Sequence, residues 1–464
     1  MNDGTVIEQR TIQVIPEAER YGRPRDLFTM WFAANLHPLA VVTGALASTV
    51  FGLSVIWALV AWTLGLAVGA FLMALHSAQG AQLGLPQMIQ SRAQFGSWGA
   101  LLFVLVTITM YIGFFTSTLA VGGEALQLGF GEGLGTFGGV AIAAVIGIIV
   151  ASFGYKVIHK LGQVVTFVSG GLIVIASIWI FSSISTREAI LSSGDFSLVG
   201  FCAVIAIGAV WLLAYGPYVS DYSRYMPATL AGRKSTFWAT YFGGFLGSLL
   251  PMTLGVAIGL VAKEDNILAA VTGIYGELFG RIFLIGCGLV LVHVNAMNLY
   301  GSVLCSVTAI QTFKRNWSPG PRTRFTIALI IASLCFLLAM SMSGDIMGGF
   351  LAFINILTYV LIPWSAINLV DFYLVRSGKY DLESISSADG GIYGRYQPRA
   401  LAAYGFGLLA QVPFLSMSFY VGPIANALGD VDIAWLVGLV ASAGAFLFSS
   451  SFERKKKLPG SVTN

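Results

Sequence analysis

The amino-acid sequence predicts an all-α polytopic membrane protein of about twelve transmembrane helices, with two five-helix halves in inverted orientation and two further C-terminal helices. Three observations carry this: a composition that cannot cover a wet surface, apolar runs of spanning length, and two helix breaks five spans apart. Of 464 residues, 56% are hydrophobic and only 10% are charged, whereas about a quarter of a soluble chain is charged. A soluble enzyme, a disordered chain and a nucleic-acid binder are excluded on that ground.

A hydrocarbon core of about 30 Å needs around 20 apolar residues per helix. Apolar runs fall near 27–51, 53–76, 98–128, 134–152, 161–184, 197–220, 236–262, 282–313, 325–343, 346–374, 400–420 and 433–452. Runs this long are helices, because lipid offers a backbone amide no partner; a β-barrel would show short alternating segments. The chain divides into an N-terminal tail (1–26), a first repeat (27–184) and a second inverted repeat (197–374). A loop (375–399), two extra helices (400–452) and a C-terminal tail (453–464) follow. The polar first 26 residues, with no small-residue cleavage site beyond them, predict no cleavable signal peptide. Cys202, Cys287, Cys305 and Cys335 lie inside apolar runs without metal-ligand spacing and read as small buried hydrophobes.

Charge placement tests this count. With the N-terminus in the cytoplasm, 22 of the 25 Lys and Arg fall on the inner side, leaving Arg187, Lys263 and Arg281 outside. This positive-inside pattern predicts a multi-pass protein of the plasma (inner) membrane with both termini cytoplasmic. One miscounted span would scramble the asymmetry downstream. The basic run Arg454–Lys457 reads as a topology anchor, with a lipid-binding patch as the other reading.

The first span holds Asn35-Leu36-His37-Pro38 at its middle, and the sixth holds Tyr215-Gly216-Pro217. Proline removes a backbone donor and disfavours helix in the residue before it. Breaks at corresponding positions of two halves point to an inverted-repeat transporter with a midplane site, where Asn35, Gly216 and the unwound backbone offer polar groups. Pro251 and Pro363 read as simple kinks. No Lys or Arg lies deep in a span, and Glu124, Asp345 and Asp371 fall near helix ends. The deep ionisable residues are His37 and His293. Each reads as a packing residue or a functional one, and the position of His37 at a break weighs toward function.

A cavity without fixed charge suits a neutral, polar, planar solute. Asn295 and Asn298 share a face of span eight, and carboxamides, with two donors and an acceptor, match the mixed edge of a nucleobase. Phe114 on span three and Trp211 on span six are the aromatic candidates, since stacking a base on a ring is worth roughly 1–3 kcal/mol.

Several motifs are distributed along nearly the whole chain. They are Glu19-Arg20-Tyr21-Gly22 before the span Trp31–Gly44, Pro86-Gln87-Met88 with Ser91-Arg92-Ala93-Gln94-Phe95-Gly96, and Asp221-Tyr222-Ser223-Arg224-Tyr225. Asn295–Tyr300, Asp371-Phe372-Tyr373-Leu374 and Gly391-Ile392-Tyr393-Gly394-Arg395-Tyr396 complete the set. In these the chain resembles the nucleobase–cation symporter-1 family, in its purine–cytosine permease branch. The resemblance implies a LeuT-like fold and uptake of purines, cytosine, uracil, hydantoins, allantoin or related rings. It implies a ring sandwiched between aromatic residues of spans three and six, here Phe114 and Trp211, with Leu212 the alternative if the break shifts the register. Thr118, one turn beyond Phe114, and Asn295 and Asn298 match the family's polar positions.

Two departures matter. The span-three aromatic is usually Trp, and Phe114 is a smaller platform. Sodium-coupled relatives carry hydroxyl residues on span eight where this chain has His293 and Val294. Sodium wants oxygen ligands, whereas imidazole titrates near physiological pH. The sequence therefore predicts a proton-coupled importer of a neutral nucleobase, with His293 or His37 in the proton path and no cofactor or metal. Its expected partners are a small neutral heterocycle and the lipid bilayer, with a monomer as the transport unit. The alternatives are a sodium-coupled symporter of hydantoin, allantoin or another small heterocycle and, more distantly, a channel or a non-transporting receptor. The spans show no nucleophile–base pair or paired carboxylates, so an enzyme is not expected.

Overall fold

The structure, a computed structural model, describes residues 13–131, 133–153, 155–192, 196–262, 266–314, 317, 319–341, 346–387 and 389–456. Arg10, Lys263, Arg315, Asp345 and Lys457, used in the charge reading, lie outside the described residues.

The first half runs α1 (Pro24–Ala33), α2 (Pro38–Thr49), α3 (Val55–Leu83), α4 (Gln87–Phe95), α5 (Gly99–Phe130), α6 (Gly135–Phe153), α7 (Tyr155–Ser182) and α8 (Ile184–Ser192). The second runs α9 (Leu198–Leu213), α10 (Val219–Ser223), α11 (Leu230–Val261), α12 (Ala270–Tyr275), α13 (Glu277–Phe313), α14 (Pro321–Ser341) and α15 (Ile346–Val370). Then come α16 (Leu382–Ser386), α17 (Pro398–Gln411), α18 (Pro423–Ala427) and α19 (Ala434–Lys456). Among the described residues seven helices are long and apolar enough to cross a bilayer, and α1 with α2 forms an eighth span bent by 62°. Helices α6, α7 and α9 contribute shorter apolar stretches.

Each predicted run contains a helix; α7, α11 and α13 start five or six residues before the predicted starts, and two ends differ more. The second helix continues to Leu83, seven residues beyond the predicted end, because nothing in His76–Leu83 breaks a helix before the left-handed Gly84. The eleventh stops at Gln411 instead of reaching 420. Pro413 cannot continue the hydrogen-bond ladder, and the chain passes into a hairpin of β1 (Ser416–Met417) and β2 (Tyr420–Val421). Asp432 anchors that hairpin, accepting from the Ser416 amide at 2.9 Å and from the Tyr359 hydroxyl.

Both breaks occur where proline dictates. His37 is extended (φ −140°, ψ 163°) and Pro38 starts α2, the geometry a residue before proline prefers. Between α9 and α10 the five residues 214–218 hold Gly216 and Pro217. The broken spans then pack symmetrically. Helix α2 lies on α11, and α9 lies on α3, so span one pairs with seven as span six pairs with two. Small residues bring the backbones together: a Cβ on Gly255 would stand 1.9 Å from the Val41 carbonyl oxygen, and one on Gly69 would stand 2.3 Å from that of Ala209. Without a hydrophobic drive between helices in lipid, such close packing is what holds them. Helices α5 and α13 pack extensively on each other beside this pair of contacts.

Candidate binding site

The two breaks meet. Trp211 Nε1 donates to Asn35 Oδ1 at 2.8 Å, and the Tyr215 hydroxyl donates to the same oxygen at 3.2 Å. Asn35 Nδ2 in turn donates to the Trp31 carbonyl at 2.8 Å, bridging the end of α1. The first break thus holds the second through one buried carboxamide. Asn35 satisfies groups on both spans and does not itself line the cavity.

A small cavity lies against this junction. It is lined by His37, Leu39, Phe114, Thr118, Trp211, Ala214, Tyr215, Tyr218, Val294 and Asn298. Its free volume is about 20 Å³, room for about one water. Among these lining residues none is Asp, Glu, Lys or Arg, so the polar contacts on offer are hydroxyls, a carboxamide and one imidazole. The His37 ring lies 5.8 Å from that of Trp211, tilted by 31°. Beyond the break, Trp31, Tyr215, Tyr218 and Tyr222 pack edge to face, and Tyr111 lies tilted against Tyr218 at 4.8 Å.

Thr118 and Asn295 join spans three and eight. The threonine hydroxyl lies 2.5 Å from Asn295 Oδ1 and 2.7 Å from the Phe114 carbonyl. Asn295 is fully buried, and with its oxygen occupied its Nδ2 has no partner. Asn298 Nδ2 and His37 Nδ1 likewise have none. A buried unmade donor costs about 1–3 kcal/mol, so these groups are costly unless something comes to meet them.

Of the residues singled out from sequence, the structure brings His37, Phe114, Thr118, Trp211 and Asn298 to one cavity, with Asn35 and Asn295 immediately behind. His293 of α13 and His37, in the break before α2, are within electrostatic range of each other. Leu212 points elsewhere, its methyl carbons facing Gly244 of α11. Gly216 sits in the sixth-span break but faces His76, not the cavity.

Three things escaped the sequence reading. Tyr215 and Tyr218 line the cavity, and their places flanking Gly216-Pro217 were a usable signal. Phe350 of α15 touches both aromatic candidates edge-on, 6.3 Å from Phe114 at 68° and 6.3 Å from Trp211 at 77°; a phenylalanine in an apolar run gave no hint of that. His76 is a third fully buried histidine. Apolar composition ends the second span at that residue and so leaves it unmarked.

Comparisons with known proteins place the chain in a family and a fold. Residues 14–438 match the family described as permease for cytosine/purines, uracil, thiamine, allantoin. The chain is 36% identical over 454 residues to YxlA of Bacillus subtilis (strain 168), a protein assigned as a purine-cytosine permease, covering 97% of each chain. It is 26% identical over 469 residues to the purine-cytosine permease fcyB of Emericella nidulans, covering 97% of this chain and 89% of that one. In fold it is similar to Mhp1, a nucleobase-cation-symport-1 family transporter, in a closed conformation with bromovinylhydantoin bound. That likeness has a TM-score of 0.77 at 18% identity and covers 98% of this chain and 97% of the other.

Proposed function

Because the chain belongs to the family of permeases for cytosine, purines, uracil, thiamine and allantoin, a multi-pass membrane transporter and not an enzyme, we propose that it imports a neutral purine or cytosine by proton symport. The observation that carries this is the pair of buried, unpartnered carboxamide donors on Asn295 and Asn298, with the open His37 Nδ1, beside the Trp211 and Phe114 rings. Donors without partners next to aromatic faces suit the acceptor-bearing edge of a flat ring. A charged solute would meet no countercharge there.

The residues take these roles in the proposal. Trp211 and Phe114 hold the ring faces, while Asn298, Asn295 and Thr118 read its edge. Asn35 and Gly216 keep the two breaks in register. The free volume is far smaller than any heterocycle, so the ring enters when the wall residues part, which fits alternating access around a midplane site. The halves 27–184 and 197–374 move against each other, and 400–452 form a peripheral pair. Both termini face the cytoplasm, the membrane is the plasma membrane, and one chain is the transport unit.

Protons drive the cycle through His293 and His37. Two imidazoles within electrostatic range resist holding two charges, so the pair takes up at most one proton. Uptake of labelled cytosine and adenine into proteoliposomes tests this. An inward proton gradient should drive accumulation without sodium, and acid outside should favour it through the range where imidazole titrates. Accumulation that needs sodium and ignores the proton gradient overturns the coupling. The likeness to a hydantoin-bound structure supports a second reading, a sodium-coupled carrier of hydantoin, allantoin or a similar ring; a binding screen of nucleobases against hydantoins and allantoin separates the two.

A further inference from the structure

His76 sits in a polar cluster that the proposed cycle does not use. Its Nε2 is 2.8 Å from Ser365 Oγ on α15, and its Nδ1 is 3.3 Å from Gln87 Nε2 on α4. The ring stacks on Trp364, centroids 4.9 Å apart with planes 10° from parallel. Its Cδ2 edge faces Gly216 in the sixth-span break. An amide NH2 meets Nδ1, so Nδ1 accepts and the proton sits on Nε2, donated to Ser365. Gln87 Nε2 also donates to Gln79 Oε1 at 3.2 Å. Its Oε1 accepts from Ser220 at 2.5 Å, and its backbone N–H donates to Asp221 Oδ1 at 3.0 Å.

The side chains around the imidazole, Gln79, Gln87, Ser220, Trp364, Ser365 and Asn368, are all neutral. Tyr373 donates to the Leu75 carbonyl next to it in sequence. Among the described residues, carboxylates enter only through intermediaries. Asp221 is reached through the Gln87 backbone, and Asp371, paired with Arg376, through Gln94 and Asn368.

We propose that His76 is a proton-binding site that switches the hold on the half of the sixth span beyond its break. The inference goes past the substrate site but rests on the transport reading for its consequence. A proton on Nδ1 sets two donors face to face. The Gln87 amide then turns over, so that Oε1 accepts from Nδ1–H and the NH2 donates to Ser220 Oγ. Ser220 can take this, because its own proton has a second acceptor in the His76 carbonyl at 2.9 Å. Gln79 Oε1 loses its donor, and an imidazolium with no carboxylate in contact is stabilised when water reaches it. Protonation therefore favours parting of α10 from α3 and α4, and loss of the proton to water restores the closed set. The switch lies on the face where the 2–3 and 6–7 loops emerge, which the proposed topology makes the cytoplasmic one.

The test uses the purified full chain in proteoliposomes, with labelled cytosine and adenine as probes. Efflux from the parent should rise about three- to tenfold as pH on the α4 side falls from about 7.5 to 4.5. His76→Gln should flatten that rise to below about twofold while binding stays within about threefold. Gln87→Glu, which places a carboxylate on Nδ1, should move the profile alkaline by about one pH unit. Profiles of both variants that superpose on the parent's overturn the proposal, and Gln87→Glu decides alone if His76→Gln does not fold. If the parent moves neither probe, the transport reading fails separately. Tryptophan emission then decides for His76: quenching on acidification in the parent should be lost in both Trp364→Phe and His76→Gln, and quenching that persists unchanged in His76→Gln overturns the assignment.

Discussion

Trp211 and Asn35, 176 residues apart, share a 2.8 Å hydrogen bond that ties the two broken spans together at the wall of the cavity. The indole therefore has two jobs, presenting a face to the cavity and fixing the junction behind it. Trp211→Phe keeps a ring and loses the bond; binding should weaken by less than about tenfold while Tm falls. Trp211→Ala loses the stacking as well, roughly 1–3 kcal/mol, or about 5- to 150-fold in Kd. Isothermal titration and thermal unfolding separate the two contributions.

Asn35→Ala leaves the Trp211 indole N–H without its acceptor and deprives the Tyr215 hydroxyl of one. Stability should drop by about 1–3 kcal/mol. Asn35→Asp retains an acceptor and should recover part of it. Thermal unfolding of the three proteins side by side checks the order parent, Asp, Ala; Ala equal to parent would mean the junction is held elsewhere.

Thr118 and Asn295 act as one unit, because the hydroxyl occupies the carboxamide oxygen and leaves Nδ2 as the only open donor. Thr118→Val should weaken nucleobase binding by about tenfold, since a turned amide offers the wrong group, while Thr118→Ser should not. With Asn295→Ala in place, Thr118→Val should have little further effect. A double-mutant cycle on Kd should give a coupling of about 0.5–3 kcal/mol; strict additivity would separate the two residues.

At the far end of α15 the buried Asp371 carboxylate, 1% exposed, meets Arg376 Nε at 3.0 Å. Gln94 and Tyr380 donate to it at 3.1 and 2.7 Å. Arg376→Ala strands a buried charge and should cost about 3–5 kcal/mol, lowering Tm. Arg376→Ala with Asp371→Asn should recover most of the loss, because the stranded charge goes with the carboxylate.

Burial on α4 pushes the Arg92 guanidinium down to about 10, and its Nη2 has no partner. A base held below its unfolded value of 12.5 costs stability wherever both states are protonated. The penalty is complete below pH about 10 and fades only as pH climbs toward 12.5. At pH 7 Arg92→Met should therefore be neutral or stabilising by up to about 4 kcal/mol. A lower Tm would show that the remaining guanidinium contacts outweigh the burial cost.

The apolar runs and prolines made most of the fold legible, because a helix in lipid must satisfy its own backbone and a proline cannot. The eleventh span shows the limit: composition carried the run to 420, while Pro413 and the Asp432 anchor end it at Gln411. Side-chain direction was less legible. Trp211 and Leu212 are neighbours near a break, and helical periodicity cannot carry a face across unwound backbone. Only the packing of α9 on α3 turns Trp211 to the cavity and Leu212 toward Gly244 of α11.

Composition and spacing alone establish a helical membrane protein with two proline breaks and mark the amides, rings and two of the histidines set in that apolar frame. Those follow from composition and local chemistry. The tertiary structure decided which of them meet. Phe350 reaches Phe114 and Trp211 from α15, and His76 finds Ser365 and Gln87 across elements 289 and 11 residues away. Such contacts depend on how helices cross and which faces they turn inward, and no spacing along one helix encodes its neighbour.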